Sequence, residues 1–423
     1  MLSLKTVWYF LHTPKQEYNP SHKEAILMAK HGRKKTATFT LEPDGFSIHT
    51  FEVSRQIEGK RYHKIKDFLY SLNEEYGKIV TYPESKRIIK CTAFRAHGIN
   101  IALENNAGKD GSYQAMTLRI FISPRRLLDP GTSYLGIFPP RKESIDDVFE
   151  AFDDLFANTP LPADLNDYIL TRADLCTNIR CDKTKLFREL VRVIHKLPTP
   201  PKYERKLHKT STKGMSKSKR AEANKADNRY NKHYLKVSCD SVDLVIYDKT
   251  YQMSAEELTE VSYEDYDAGV LRFECRLMRD PLRKVMEKYE CKTTRELLKH
   301  LIVHSEEIML DYFSRCFAED DFCRLDEIES VIEASGYHKK TREAMLELSH
   351  RLSRGKIVDK VFERMELDGW KFDRKDILDR FAKLGINPIP LWKSFCAERL
   401  PSPVTLLKGI SEGEIKVKYL LIK

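Results

Sequence analysis

The chain has 423 residues, of which 41% are apolar and 32% charged, and its net charge is +10. This composition excludes a disordered chain, because there are enough apolar side chains to build a sizeable core. No apolar run approaches the ~18 residues of a membrane-spanning helix, so we expect no membrane partner. The nine cysteines form no Cys-x-x-Cys pair, which argues against a zinc site or a disulfide framework and favours a reducing compartment.

The N-terminal region, residues 1–140, is predicted to combine strands with one helix. Residues 1–20 contain a short apolar patch but lack the features of a signal peptide, and we interpret them as the first strand. Segments of strand length, rich in β-branched and aromatic residues, follow between positions 36 and 123. Residues 64–80 carry apolar side chains at helical spacing, and the turn-rich segment 129–141 closes the region.

The middle region, residues 141–280, is predicted to be a small α+β sheet domain. Residues 143–158 form an amphipathic helix with five apolar side chains on one face. Strands and a further helix follow, and the last two strands end the region. Together with the predominantly helical segments of residues 281–423, several of which end at glycine, this pattern predicts an α+β fold with an antiparallel sheet and a helical C-terminal region.

A basic insertion, residues 200–236, interrupts the middle region. Between positions 202 and 236 there are twelve Lys or Arg residues and three Asp or Glu residues, so nearly all of the excess positive charge lies here. Such a segment favours a polyanionic partner, most simply nucleic acid. We therefore expect DNA contacts from Lys217, Lys219 and Arg220. The alternative is a solvated insertion that has no dedicated partner.

Three acidic residues stand on three predicted strands. Asp174 lies in "RADLCTN", Asp248 ends "DLVIYD", and Glu274 lies in "LRFECR". If the three carboxylates converge on one sheet face, mutual repulsion would raise their pKa values or require a bound cation. Oxygen ligands of this kind suit Mg²⁺ or Mn²⁺ and do not discriminate between the two ions.

Cationic residues flank the same strands. Lys249 follows Asp248 directly, and Arg272 and Arg276 lie two residues on either side of Glu274. Cations beside a carboxylate site suit a phosphodiester substrate. The alternative is that each acid forms a salt bridge with a neighbouring cation on a solvated strand face. The chain has no His-Glu-x-x-His motif and no P-loop motif, which argues against a zinc hydrolase and a P-loop ATPase.

The ordered motifs "RADLCTN", "YNKHYLKVSCDSVDLVIYDKTYQM" and "GVLRFECRL" resemble those of rolling-circle replication initiators. The resemblance is to the gene II and gene X replication proteins of filamentous phages and to the related Rep_trans plasmid initiators. It implies an initiator/relaxase-like catalytic core that nicks one DNA strand at an origin. A tyrosine would become joined to the 5′ phosphate, leave a 3′ hydroxyl as a primer, and later rejoin the strand.

The same resemblance assigns roles to particular residues. Asp174, Asp248 and Glu274 would hold the Mg²⁺ or Mn²⁺ ion, and Lys249 would contact the phosphate or orient the site. The family places its nucleophile on a helix downstream of the Arg-x-Glu strand. Two tyrosines qualify, namely Tyr312 in "MLDYFSRC" and Tyr289 in "EKYECK".

The choice of nucleophile stays open at this point. Tyr312, which is flanked by Arg315, could instead pack beside the apolar stripe of its own helix. Tyr251, Tyr263 and Tyr266 are further candidates.

The expected partner is origin DNA, single-stranded or folded as a hairpin, in the bacterial cytoplasm. A host helicase is a possible second partner. The segment 373–385 is a candidate major-groove helix, and the alternative is a helical scaffold or a helicase-recruiting surface. Two other functions remain: a non-catalytic DNA-binding regulator on the same fold, and a metal nuclease that uses water as its nucleophile.

Overall fold

The structure is a computed structural model that describes residues 35–76, 80–81, 88–107, 114–182, 185–212, 215–255, 268–395, 399–413 and 415–421. The predicted first strand in residues 1–20 and the candidate tyrosines Tyr263 and Tyr266 lie outside these ranges. Among the described residues, no helix is both long enough and apolar enough to cross a membrane.

The strands and helices are numbered in chain order. The strands are β1 (Lys35–Gln56), β2 (Val80–Thr81), β3 (Ile88–Cys91), β4 (Ile99–Ala107), β5 (Gln114–Ile122), β6 (Ile169–Asp182), β7 (Glu204–Arg205), β8 (Tyr234–Ser238), β9 (Val242–Asp248), β10 (Ala268–Met278), β11 (Phe322–Cys323), β12 (Arg399–Leu400) and β13 (Ile415–Leu421). The helices are α1 (Gly59–Tyr76), α2 (Pro124–Leu128), α3 (Ser144–Phe156), α4 (Lys185–His195), α5 (Lys217–Tyr230), α6 (Lys249–Ala255), α7 (Arg279–Lys288), α8 (Thr294–Val303), α9 (Ser305–Cys316), α10 (Leu325–Ala334), α11 (Lys339–Ser353), α12 (Val358–Leu367), α13 (Arg374–Lys383) and α14 (Pro403–Ser411).

One large antiparallel sheet organises the protein, which confirms the predicted α+β class. Its order is β2-β3-β4-β5-β1-β6-β10-β9-β8-β7, and β13 pairs with the first part of β1. Strands from the regions 1–140 and 141–280 thus share a sheet, and the predicted division into domains stays a prediction. The strand β13 shows that the predominantly helical region 281–423 also returns to this sheet.

The long strand β1 bends at Gly45 and continues in the sheet. Its pairing with β6 shifts register between Pro43 and Phe46, and Gly45 has a φ of +81°, a conformation that residues with a Cβ atom rarely adopt. A second shift lies between Ile48 and Thr50. Successive parts of β1 pair with β13 (residues 35–41) and with β6 (residues 42–54), and residues 51–56 also pair with β5.

The two faces of the central strands β6, β10 and β9 differ in character. Side chains alternate along a strand, so Phe273 and Leu277 point to one face while Arg272, Glu274 and Arg276 point to the other. The apolar face packs against helices. The ring of Phe273 lies 5.8 Å from that of Phe313 in α9, and a Cβ atom on Gly269 would lie 2.8 Å from the ring of Phe187 in α4.

The helix predicted at residues 143–158 is confirmed as α3. The five side chains expected on its apolar face are buried: Ile145, Val148, Phe149, Phe152 and Phe156. The C-terminal helices dock on the end of α4, where buried Lys196 donates from Nζ to the carbonyl of Leu352 at 2.7 Å. Thr199 donates to Asp359 from its hydroxyl at 2.6 Å. These hydrogen bonds tie α11 and α12 to the chain segment that follows α4.

His195 at the end of α4 makes the stability of the fold depend on pH. Burial and, second, the charge of the nearby Arg205 guanidinium together lower the pKa of His195 to about 4. The unfolded chain takes up this proton near pH 6.5, whereas the folded chain does not. The stabilisation is therefore complete above pH 6.5 and is lost as the pH falls through that value toward 4.

We expect the free energy of unfolding to fall by up to about 2 kcal/mol between pH 7 and pH 5 because of this one residue. Urea denaturation of the wild type and of His195→Gln at both pH values measures the effect. The variant should show a smaller loss than the wild type, and equal losses in the two proteins would contradict the assignment.

Candidate functional site

Arg276 lies at the centre of the polar face of β6, β10 and β9. Its Nε is 3.0 Å from Asp174 Oδ1, and its Nη1 is 3.2 Å from Asp243 Oδ2. Its Nη2 is 3.7 Å from Glu274 Oε2. The register explains the arrangement, because Arg276 is paired with Asp174 on β6 and with Asp243 on β9. We call Asp174, Asp243, Glu274 and Arg276 the ionic cluster.

Further donors surround the ionic cluster. Lys236 Nζ lies 2.6 Å from Asp243, Arg172 Nε donates to Asp174 at 2.7 Å, and Thr50 donates to the other oxygen of Asp174 at 2.7 Å. Burial raises the pKa of Asp243, but the hydrogen bond from Lys236 and the charges of Lys236 and Arg276 lower it below its ordinary value. The Asp243 carboxylate is therefore held ionised by protein cations.

Burial would lower the pKa of Arg276, but the charges of Asp174, Glu274 and Asp243 raise it above its ordinary value. The guanidinium stays charged over the whole physiological range. It can form salt bridges with three acids at once because its donors radiate in one plane.

Arg272, on the same face of β10, makes its hydrogen bonds to other parts of the protein. Its side chain is fully buried; Nε donates to Asn178 at 2.7 Å and Nη2 donates to the carbonyl of Leu135 at 2.8 Å. These bonds hold the segment 134–136, part of the predicted linker 129–141, over one end of the polar face. Arg272 is therefore enclosed by protein groups, and its predicted contact with DNA stays a prediction.

His49 joins the polar face through an irregularity in β1. The register shift between Ile48 and Thr50 places it where a bulge can re-aim a side chain. Its Nε2 lies 3.8 Å from Glu274 Oε1. Burial and then the charge of Arg272 lower the pKa of His49 well below 6.5, so the imidazole is neutral at pH 7.

Sequence reasoning missed His49, although a signal was present. The buried apolar residues of β1 follow a spacing of two at Phe46 and Ile48 and at Phe51 and Val53, but a spacing of three separates the two pairs. In a strand whose buried residues recur at every second position, one spacing of three residues indicates a bulge.

Two tyrosines of the polar face were also not predicted. The buried Tyr247 donates from its hydroxyl to Glu274 Oε1 at 2.6 Å, and its ring lies 6.1 Å from that of the half-buried Tyr234. Burial and the charge of Glu274 raise both pKa values, that of Tyr247 well above 10 and that of Tyr234 to about 12. Tyr247 is thus a phenol with a carboxylate acceptor already in place.

Asp248 lies apart from the ionic cluster. It pairs with Leu271, so by alternation it belongs to the apolar side. Its Oδ1 accepts from the backbone N–H of Tyr251 at 2.9 Å, which caps the N-terminus of α6, and its Oδ2 lies 3.1 Å from His233 Nδ1. Lys249, the first residue of α6, is buried and donates to Gln252 at 2.9 Å.

The predicted convergence of Asp174, Asp248 and Glu274 is therefore not found. Asp174 and Glu274 lie on the polar face, and the acid that joins them there is Asp243 rather than Asp248. Asp243 and Asp248 are five residues apart on β9, an odd separation that sends their side chains to opposite faces.

The described residues do not fit the predicted metal site. No group of three or more His, Cys, Asp or Glu side chains in the described part of the chain could hold a metal ion. The donor atoms of the ionic cluster are engaged by Arg276, Arg172 and Lys236. The requirement for Mg²⁺ or Mn²⁺ stays a prediction from the sequence.

The two predicted nucleophiles lie on the other side of the sheet. Tyr289 and Tyr312 line one cleft between α7, α8 and α9, and Leu277 lines it from β10. Because Leu277 alternates with Arg276, this cleft and the polar face are on opposite sides. Burial raises the pKa of Tyr312, whereas the exposed Tyr289 accepts a hydrogen bond from Lys288 Nζ at 2.6 Å. The structure brings the two tyrosines together and separates them from the acids.

The basic insertion contains the helix α5. Lys217, Lys219 and Arg220 are exposed on it. The buried Asp227 lies near the C-terminal end of α5 and joins it to Thr210. Asp227 accepts hydrogen bonds from the backbone N–H of Thr210 at 2.8 Å and from the Thr210 hydroxyl at 2.7 Å. The three exposed cations therefore lie on a helix whose C-terminal end is held by hydrogen bonds.

No protein-family model matches the chain, and no curated protein matches it in sequence. Among solved structures, the chain is similar to a rolling circle replication initiator protein from Geobacillus stearothermophilus, with 12% identity and a TM-score of 0.28. The match covers 65% of this chain and 85% of that chain. At this identity and TM-score the likeness is distant.

We expect Arg276→Met to lower the free energy of unfolding by about 3–5 kcal/mol, because it leaves three buried carboxylates without their common cation. The matched control is Arg283→Met, which removes an exposed guanidinium from a pair with Glu287 one helical turn away. The control should cost less than about 1 kcal/mol. Chemical denaturation measures both, and similar losses would show that the ionic cluster has no special role.

Proposed function

We propose that the protein is a replication initiator that nicks one strand of origin DNA and later rejoins it, with the polar face as its catalytic surface. The observation that carries the proposal is the pairing of Tyr247 with Glu274 beside Arg276. The strands that carry the three initiator-like sequence motifs are direct neighbours in the order β6-β10-β9. A phenol, a base and a guanidinium are thus adjacent on the strands that the motifs singled out.

Part of the polar face is accessible to solvent. The side chains of Arg172, Arg276, Lys236 and His49 are between 19% and 24% exposed. Three of these are permanent cations, and a phosphodiester that entered would compete with the carboxylates of the ionic cluster for them. A DNA strand that entered here would approach Tyr234 and then the more deeply buried Tyr247.

The proposed reaction is a transesterification at phosphorus. The Tyr247 hydroxyl oxygen attacks the phosphorus atom, and its proton passes to the Glu274 carboxylate. The bond between phosphorus and the 3′ oxygen breaks, and that oxygen leaves with the electron pair and takes a proton from solvent. Arg276 stabilises the charge on the phosphoryl oxygens. The phosphotyrosine bond retains the energy needed for rejoining.

A second candidate is a DNA-binding regulator without nicking activity. The observation that favours it is the neutralisation of Asp174, Asp243 and Glu274 by protein cations, together with the distance in the fold between these acids and the predicted nucleophiles Tyr312 and Tyr289. A regulator of this kind would bind DNA through α5 and release it unchanged.

We expect a covalent adduct between DNA and a peptide that contains Tyr247. The protein is incubated with supercoiled and single-stranded DNA that carries the origin of its genetic element, with Mn²⁺ or with a chelator, and analysed on a denaturing gel with peptide mapping. Tyr247→Phe should abolish the adduct, because it removes the attacking oxygen but keeps the packed ring. Tyr289→Phe and Tyr312→Phe should retain it.

Other outcomes of this assay would contradict either the assignment to Tyr247 or the nicking mechanism itself. An adduct on Tyr234, Tyr289 or Tyr312 would keep the mechanism and overturn the assignment to Tyr247. Nicking with a free 5′ phosphate would indicate water as the nucleophile, and binding without nicking would indicate a regulator. Nicking that occurs with Mn²⁺ and is lost when the chelator is used instead would support the predicted metal requirement.

We also expect DNA binding to depend steeply on salt, with a contribution from α5. Replacing Lys217, Lys219 and Arg220 by alanine should reduce the slope of log affinity against log salt by about 2–3, since each phosphate contact contributes about 0.7–0.9. The control replaces three exposed lysines of α11 and α12, Lys339, Lys340 and Lys360. An equal change in both triple variants would show that only net charge matters.

A further inference from the structure

The cleft that holds Tyr289 and Tyr312 has no part in the proposed reaction. It has a volume of about 300 Å³ and lies between α7, α8 and α9. The side chains with the relevant chemistry are Lys284, Lys288, Tyr289, His300, His304 and Arg315. This volume is at the lower end of the range for small-molecule sites.

Three rings in the cleft form a continuous stack. The ring centroids of Tyr289 and His300 are 3.7 Å apart, and those of His300 and His304 are 4.2 Å apart with planes inclined by 26°. Tyr289 is 37% exposed, an unusual degree for a large aromatic side chain in this protein. The rings of Tyr289 and His300 face each other with planes inclined by 34°, so the exposed part of the Tyr289 ring is the aromatic surface at the cleft on which a nucleobase could stack.

The turn after α7 fixes the position of Tyr289. Tyr289 is the C-cap residue of α7, and the next residue, Glu290, has a φ of +52°. A left-handed residue at this position is a common way for a helix to end. The turn is closed by a hydrogen bond from the N–H of Cys291 to the carbonyl of Met286 at 3.0 Å, which fixes the end of the helix that carries Tyr289.

The cleft also offers polar recognition. Within the described part of the chain, the buried Nε2 of His300 has no hydrogen-bond partner. Burial lowers the pKa of His300, and the neighbouring His304 lowers it further. The ring is therefore neutral at pH 7 and can either donate or accept a hydrogen bond, according to its tautomer.

The charge at the cleft is predominantly positive. Lys284, Lys288 and Arg315 are exposed there. The two acids of the cleft have partners, since Asp311 pairs with Arg315 at 2.5 Å and Glu307 lies 3.3 Å from His304 Nδ1. Lys288 Nζ lies 4.5 Å from the ring centroid of Tyr289 as well as bonding to its hydroxyl. A phosphate near Lys284 and Lys288 would thus lie beside an aromatic face.

We propose that this cleft binds a nucleoside phosphate, with its base stacked on the exposed ring of Tyr289 and its phosphate held by Lys284 and Lys288. The ligand is either a free nucleotide or the terminal nucleotide of a DNA strand, which share this chemistry. The inference goes beyond the proposed function, because the residues involved lie across the sheet from the ionic cluster and from Tyr247.

The test is equilibrium binding to the full chain by isothermal titration calorimetry, with ATP, dTMP and inorganic phosphate as probes. We expect saturable binding of the nucleotides and much weaker binding of phosphate alone. Tyr289→Leu should weaken nucleotide binding about tenfold or more, because stacking on an aromatic ring contributes this much per base. Tyr289→Phe should keep it, since the ring rather than the hydroxyl forms the surface.

The double variant Lys284→Ala/Lys288→Ala should also weaken binding and reduce its salt dependence, whereas Lys339→Ala/Lys340→Ala should bind as the wild type does. No saturable nucleotide binding, or binding that Tyr289→Leu leaves unchanged, would overturn the proposal. Competition by an oligonucleotide would assign the ligand to a DNA end, and its failure to compete would assign it to a free nucleotide. The Lys284→Ala/Lys288→Ala variant should still form the covalent adduct, so each proposal can fail separately.

Discussion

The salt bridges of Arg276 are the interaction on which the central sheet depends. One guanidinium on β10 joins an acid on β6, an acid on β9 and an acid on its own strand. Charges at this depth are stable only when they are paired and hydrogen-bonded. The same contacts also select the register of three strands, because a slip by one residue would turn every one of these side chains to the apolar face.

Much of the architecture could be predicted from the sequence, because burial imposes a period on each element. The five buried side chains of α3 follow helical spacing, and the continuous apolar run of β9 is typical of a strand covered on both faces. The faces of the sheet were harder to predict. Which side of β9 carries function depends on its pairing with β10, and a single strand contains no information about its register with a neighbour.

The position of Asp248 shows a second reason why the predicted site differs from the observed arrangement. Its sequence context, an acid at the end of an apolar strand, is the same for a metal ligand and for a helix cap. The choice depends on the next element, since Asp248 accepts from the N–H of Tyr251 only because α6 begins at Lys249. The prediction of the nucleophile was limited in a similar way: Tyr312 and Tyr289 follow β10 in the sequence, but the alternation of β10 places their cleft on the face opposite to Arg276. Tyr247, inside a quoted motif, lies on the polar face.

The odd separation of Asp243 and Asp248 along β9 determines the charge balance of the polar face. Deleting one residue between them would make the separation even and would bring both carboxylates to the same face. A face balanced by arginine and lysine would then gain a fourth acid and an excess of oxygen donors, the composition that hard divalent cations require. The odd separation therefore keeps the acids of the polar face balanced by cations and places Asp248 where it caps α6.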